Sequence, residues 1–288
     1  MHEGTKFKHR LRWNWANMGR MFLQRFDPPL DADLRPLSET LMREGIVTCD
    51  VRQLLGADAP LFDRVREKTL ALYQSDAIRD KAAKMDGEKK FKVFLLDRAI
   101  AYDDPVMQLS LHPRVLALVN RYMGMRSYLR ALDLWWDRPT PDGPAATQLW
   151  HRDLDDPRCI KAFIYFNDVD MQTGPFSYLR GTHMFGRHAN LQPGGSSKNR
   201  FSDEEIVAPL SMADAQINTG PAGTMILCDT YGFHRGLKPE KDRLMSLFQY
   251  VSRASKYPRE FRVQGEAPAL QTAQQQALDP LPADAVRN

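Results

Sequence analysis

Within Gln148-Leu149-Trp150-His151-Arg152-Asp153 an imidazole and a carboxylate stand two residues apart. Alternate side chains of an extended chain share a side, so both can address one metal ion. A third ligand must come from elsewhere. The best placed is His234, in Asp229-Thr230-Tyr231-Gly232-Phe233-His234-Arg235-Gly236, directly after the apolar run Met225-Ile226-Leu227. Two histidines and one carboxylate on one face leave three coordination positions open, which suits an iron(II) enzyme that takes up a co-substrate and dioxygen together. The same donors also suit zinc, so a zinc hydrolase is a competing reading. Taken alone, a His-x-Asp pair is a weak signal, because a surface charge pair or a hydrogen-bonded core histidine looks the same.

Arg243 adds a separate chemical need. An oxo-acid co-substrate carries a distal carboxylate, and a guanidinium fork matches it through two parallel hydrogen bonds. From the strand after His234, Arg243 would sit at the far end of the pocket. Arg235 is a rival, but as the neighbour of His234 it points to the opposite side of an extended chain. The zinc hydrolase reading gives Arg243 no job.

The elements that must position these residues read as helices first and strands later. Pro60 to Lys84 carries Leu61, Val65, Leu70, Leu72 and Ala77 among many charges, which predicts one or two amphipathic helices. A helix is also predicted after Pro113, where Val115, Leu116, Leu118, Val119 and Tyr122 repeat at helical spacing until Gly124. Short β-type runs follow at Tyr128 to Trp136, Ile160 to Phe166, Thr224 to Leu227 and Leu244 to Val251. Together they predict a mainly β chain, a sandwich or jelly roll with N-terminal and flanking α-helices. Residues 186–223, with Pro193-Gly194-Gly195-Ser196-Ser197, are too long for a hairpin connection and are expected to form a lid-like insertion. Inside it, Ser202 and Glu205 have the spacing of a capping box.

Composition bounds the rest. The chain has 288 residues, with 43% hydrophobic and 26% charged, as in ordinary globular proteins. One catalytic domain is expected over residues 31–263, with a basic aromatic arm at 1–30 and a flexible tail at 264–288. Cys49, Cys159 and Cys228 are widely separated, which excludes a disulfide framework and a Cys-x-x-Cys zinc site. No apolar run is long enough to span a bilayer and no secretory signal is seen, so a cytoplasmic location is expected. The net charge of +4 is small. It is locally uneven, however: Lys6, Lys8, Arg10, Arg12, Arg20 and Arg25 interleave with Trp13, Trp15, Phe22 and Phe26. That pattern suits nucleic acid or a membrane surface, but no recognised nucleic-acid module supports it. The simpler expectation is an arm whose aromatics pack on the domain while its charges stay in water.

Between Leu41 and Ser252 the chain resembles the phytanoyl-CoA dioxygenase family of iron(II)- and 2-oxoglutarate-dependent oxygenases. The resemblance is carried by Leu111-His112-Pro113-Arg114-Val115-Leu116 with Gly124, by Trp150-His151-Arg152-Asp153, by Gly174 to His183, by Pro221-Ala222-Gly223-Thr224, and by the segment from His234 to Arg243. It implies a double-stranded β-helix, the cupin-like jelly roll, with the metal inside its mouth. It also implies that Fe(II) is held by His151, Asp153 and His234, that Arg243 binds the 2-oxoglutarate distal carboxylate, and that Lys161 and Phe163 line the cofactor pocket. The implied reaction uses O2, releases succinate and CO2, and hydroxylates an aliphatic carbon of a small molecule. Asp153 favours hydroxylation, because related halogenases carry a small residue there. Desaturation and ring closure are left open. One departure is Gly236, where family members often have Ser or Thr to help hold the carboxylate. The alternative from another class is a non-enzymatic jelly-roll binding module with a structural or vestigial metal site.

Overall fold

The structure, a computed structural model, describes residues 3–87, 90–192, 198–207, 214–282 and 284, with the backbone alone at residues 3–10, 12 and 207. Its helices are α1 (Glu3–Gln24), α2 (Arg35–Glu44), α3 (Val51–Leu55), α4 (Pro60–Gln74), α5 (Asp76–Ala83), α6 (Pro105–Ser110), α7 (Pro113–Met123), α8 (Asp203–Val207) and α9 (Thr272–Ala277). Its strands are β1 (Ile46–Asp50), β2 (Lys92–Phe94), β3 (Ala99–Ala101), β4 (Tyr128–Asp137), β5 (Ile160–Ile164), β6 (Phe176–Leu179), β7 (Ala215–Asn218), β8 (Thr224–Asp229), β9 (His234–Gly236), β10 (Arg243–Val251) and β11 (Arg262–Gln264).

Six antiparallel strands in the order β1-β8-β5-β10-β4-β2 form the main sheet, and β7-β6-β9 form a smaller one. Alternation along the strands explains the layering. On β8, Met225 and Leu227 join the helix-side core while Ile226 and Cys228 join a second cluster. Beta-strand β5 does the same, with Ala162 and Ile164 on one side and Phe163 on the other. The second cluster also takes Phe176 and Tyr178 from β6, so it fills the space between the sheets. Burial on both faces makes these strands continuous apolar runs, and each fully buried large side chain contributes about 1.5–3 kcal/mol.

Local signals set the helix limits. Ser75 caps α5 through its side chain and separates it from α4, dividing the long amphipathic stretch in two. His112 caps α7, Pro113 opens it, and Gly124 closes it at φ 67°. The capping box is present at α8, where Ser202 N donates to Glu205 Oε2 (2.8 Å).

Three expectations need correction. The chain is mixed α/β rather than mainly β, because helices wrap the outer face of the main sheet and occupy more of the chain than strands do. The tail expected to be flexible at 264–288 follows directly on β11, which pairs with β3, and holds α9, with Ala277 and Leu281 buried. Arg259 pins it by donating to the carbonyls of Ala277, Leu278 and Asp279. In the N-terminal arm only Trp13 of the four named aromatics packs inward; Trp15, Phe22 and Phe26 are exposed. The Pro-Gly-Gly-Ser-Ser stretch at 193–197 lies outside the described residues.

Candidate metal centre

His151 lies between elements and His234 opens β9, and the two backbones pair directly. Each N–H donates to the other's carbonyl at 3.0 Å. Asp153 is fixed next, its N–H donating to Thr230 O at 2.8 Å, in the loop between β8 and β9. Three residues distant in sequence thereby come to one place. Their ligand atoms all lie within 4.8 Å of one another, the one such group among the described residues.

Each imidazole is oriented by a backbone carbonyl. His151 Nδ1 lies 2.8 Å from Leu149 O and His234 Nδ1 lies 2.9 Å from Gly232 O. That fixes Nδ1 as the protonated nitrogen and leaves both Nε2 lone pairs free. His151 Nε2 lies 3.9 Å from Asp153 Oδ1 and His234 Nε2 lies 3.5 Å from Oδ2. Burial, reinforced by His234, holds His151 well below its ordinary pKa and therefore neutral. Gly232 is needed for this packing, because a Cβ there would lie 2.0 Å from the Tyr178 hydroxyl.

Lys161, on β5, places Nζ 2.5 Å from Asp153 Oδ2. Burial alone would raise the Asp153 carboxyl and lower the Lys161 ammonium, but each partner outweighs that effect on the other. Asp153 is held well below the carboxylate range, with His234 adding to the effect, and Lys161 is raised. The ring of Phe163, two residues along the same strand, lies 4.8 Å from that of Phe176 at a 40° tilt, and the Phe176 ring is 5.8 Å from His234. It forms part of the aromatic wall between the sheets.

Arg243 opens β10 inside the same space. Its Nε and Nη2 both donate to Asp137 Oδ2, at 3.2 and 2.7 Å. Asp137 also takes Lys92 Nζ at 3.2 Å on Oδ1. The strand register explains the grouping, since Arg243 and Lys92 both stand opposite Asp137, from the two sides of β4. Burial pushes the Lys92 ammonium down to about 8, against the pull of Asp137. Burial also raises Asp137, but Lys92 and Arg243 outweigh it and hold the carboxyl low. Two cations thus share one carboxylate in a buried place. Arg243 Nη1 and Trp135 Nε1 are buried donors with no hydrogen-bond partner among the described residues. Lys92 lies over the Trp135 ring at 3.3 Å.

Arg235 faces elsewhere. It pairs with Asp203 at 2.8 Å and stacks over Trp150 at 4.5 Å. Trp150 Nε1 also donates to Asp203, at 2.7 Å, and Trp150 pairs through its backbone with Phe201. The described part of the 186–223 segment is therefore tied to the immediate neighbours of His151 and His234. Sequence reasoning missed Lys92, Asp137 and Asp203. The first two carry no local motif, and only strand register brings them to Arg243.

Several solved structures resemble this one. EctD from S. alaskensis with bound Fe is 18% identical, with 89% of this chain and 88% of that chain covered, at a TM-score of 0.53. The epimerase SnoN in complex with Fe3+, alpha ketoglutarate and nogalamycin RO is also 18% identical, with 87% and 93% covered, at 0.52. The chain shares their fold. EctD has also been seen with 2-oxoglutarate and 5-hydroxyectoine, at 17% identity, 84% and 83% coverage and a TM-score of 0.52. No family model and no curated protein sequence matches the chain.

Proposed function

We propose that the protein is an Fe(II)- and 2-oxoglutarate-dependent dioxygenase of the phytanoyl-CoA dioxygenase type, hydroxylating an aliphatic carbon of a small molecule. The observation that carries this is the His151, Asp153 and His234 cluster, with both imidazoles oriented through Nδ1 so that both Nε2 atoms face the Asp153 carboxylate. The donor set fits iron(II), and three protein ligands leave coordination positions for a chelating co-substrate and dioxygen. When bound, iron with 2-oxoglutarate supplies the oxidising chemistry, with succinate and CO2 as by-products.

The chain's own residues do the positioning. His151, Asp153 and His234 hold the metal, and Lys161 steadies the Asp153 oxygen that faces away from His151. Arg243 and Lys92, with one carboxylate between them, leave one positive charge uncompensated, and beside it Arg243 Nη1 and Trp135 Nε1 are buried donors without an acceptor among the described residues. A second carboxylate, the distal end of 2-oxoglutarate, would balance that charge and accept from Arg243 Nη1. Phe163, Phe176 and Trp135 exclude water around it. A non-enzymatic binding module leaves this excess cation without a role.

Anaerobic titration with Fe(II) tests the centre. The unaltered protein should bind one equivalent, and His151→Ala and His234→Ala should each lose it. Full occupancy in both variants contradicts the assignment, and metal uptake restricted to zinc favours a hydrolase.

A further inference from the structure

We propose that the outward face of α1 is a docking surface for an anionic phospholipid bilayer. This goes beyond the oxygenase reading and does not depend on it. Among its described side chains, the helix is held on the domain by one face. Trp13 is buried with its Nε1 donating to Asp156 Oδ1 (3.1 Å), and Asn17 Oδ1 accepts from Arg253 N (2.9 Å). Arg20 donates to the carbonyls of Arg126, Ser127 and Gln276 and pairs with Asp279. These long-range hydrogen bonds fix the roll of the helix, so its other face cannot turn inward.

That other face is apolar. Leu11, Trp15, Met18 and Phe22 recur at spacings of four, three and four, the spacing of a single helical stripe. They are 61%, 79%, 61% and 56% exposed, and Phe26 just beyond is 70% exposed. Single exposed apolar residues are ordinary on a protein surface, whereas a continuous stripe of large ones marks an interaction site.

Charge identifies the occupant. Residues 1–26 contain six Lys or Arg, of which Arg20 is committed to Asp279, and one acid, Glu3. Pairing two such helices from two copies would bring like charges together. A stripe containing Trp, Phe, Leu and Met in a basic helix matches the interfacial type, with the apolar residues at acyl-chain depth and the cations at anionic headgroups. Leu11 and Met18 in the stripe offer nothing for base stacking, which disfavours a single-stranded nucleic acid. No helix of the described residues is long and apolar enough to cross a membrane, so the mode is surface binding.

Co-sedimentation of the full chain with phosphatidylcholine vesicles, with and without phosphatidylserine, tests this. Binding should require phosphatidylserine, weaken as salt is raised, and fall by about tenfold or more in the Trp15→Ala/Phe22→Ala variant. Hydroxyl-radical footprinting of the unaltered chain gives an independent reading. Vesicles should protect Trp15 and Met18 while leaving the exposed Met42 and Met171 as reactive as before. Equal binding to neutral vesicles, or no protection at Trp15 and Met18, overturns the proposal. Self-association abolished by the same double variant would assign the face to a second copy, and oligonucleotide binding without vesicle binding would assign it to nucleic acid. Either result contradicts the bilayer.

Discussion

Arg243 fills the space that a side chain on Gly236 would need. A Cβ at position 236 would lie 2.8 Å from Arg243 Nη2, and Arg243 is held in place by Asp137. The family resemblance leads one to expect a Ser or Thr two residues after the distal histidine, and here the guanidinium takes that place. Gly236→Ser therefore has to displace Arg243. It should weaken 2-oxoglutarate binding by roughly tenfold to a hundredfold, as small misplacements of positioning groups do, with iron binding unchanged. Calorimetric titration of the two ligands checks both parts. Unaltered 2-oxoglutarate affinity would show that Arg243 does not need its present position.

Removing the guanidinium is the stronger test of the same site. Loss of one partner of a buried charge pair typically costs about 2–5 kcal/mol, so Arg243→Ala should raise the 2-oxoglutarate requirement by about tenfold or much more. Lys at 243 should rescue only partly, since it lacks the fork. Arg235→Ala is the control, because Arg235 pairs with Asp203 outside the pocket. Loss of 2-oxoglutarate binding in Arg235→Ala with retention in Arg243→Ala would reverse the assignment.

Lys92 gives the site a pH dependence. Burial lowers its ammonium pKa to about 8 before the co-substrate is bound. A carboxylate arriving beside it raises that value in the complex, so binding takes up a proton above the free pKa. Affinity for 2-oxoglutarate should be flat below about pH 8 and decline as pH rises through it, by at most about tenfold per unit. Lys92→Met should bind more weakly and show no such decline. A profile equally steep in Lys92→Met would assign the titration to another group.

How much of this was legible in the sequence depends on the range of each contact. The His151 and Asp153 pair is local, and alternation along an extended segment brought both into view. His234 was reachable because it follows an apolar strand. Lys92 and Asp137 were not, since nothing near either residue distinguishes it from surface charge, and the register of β2, β4 and β10 brings them to Arg243. The N-terminal helix shows a different limit. Trp13 and Trp15 are the same residue type two positions apart, and the bond from Trp13 to Asp156 decides which is buried.

The segment at 186–223 is proposed to close over the site, and Asp203 is its tie, bonded to Trp150 and Arg235. Loading the protein with iron and 2-oxoglutarate should slow hydrogen exchange in residues 198–207, and Asp203→Ala should speed it. Exchange indifferent to the ligands would count against a lid.

The central claim is that His151, Asp153 and His234 support oxygen-dependent turnover of 2-oxoglutarate. The most direct measurement is succinate formed from 2-oxoglutarate by the iron-loaded protein, with and without O2, without added substrate. Slow succinate formation that requires both iron and O2, and that is abolished in His234→Ala, is the predicted result. Iron-loaded protein that binds 2-oxoglutarate yet forms no succinate under O2, or His234→Ala protein that forms it at the unaltered rate, would contradict the account.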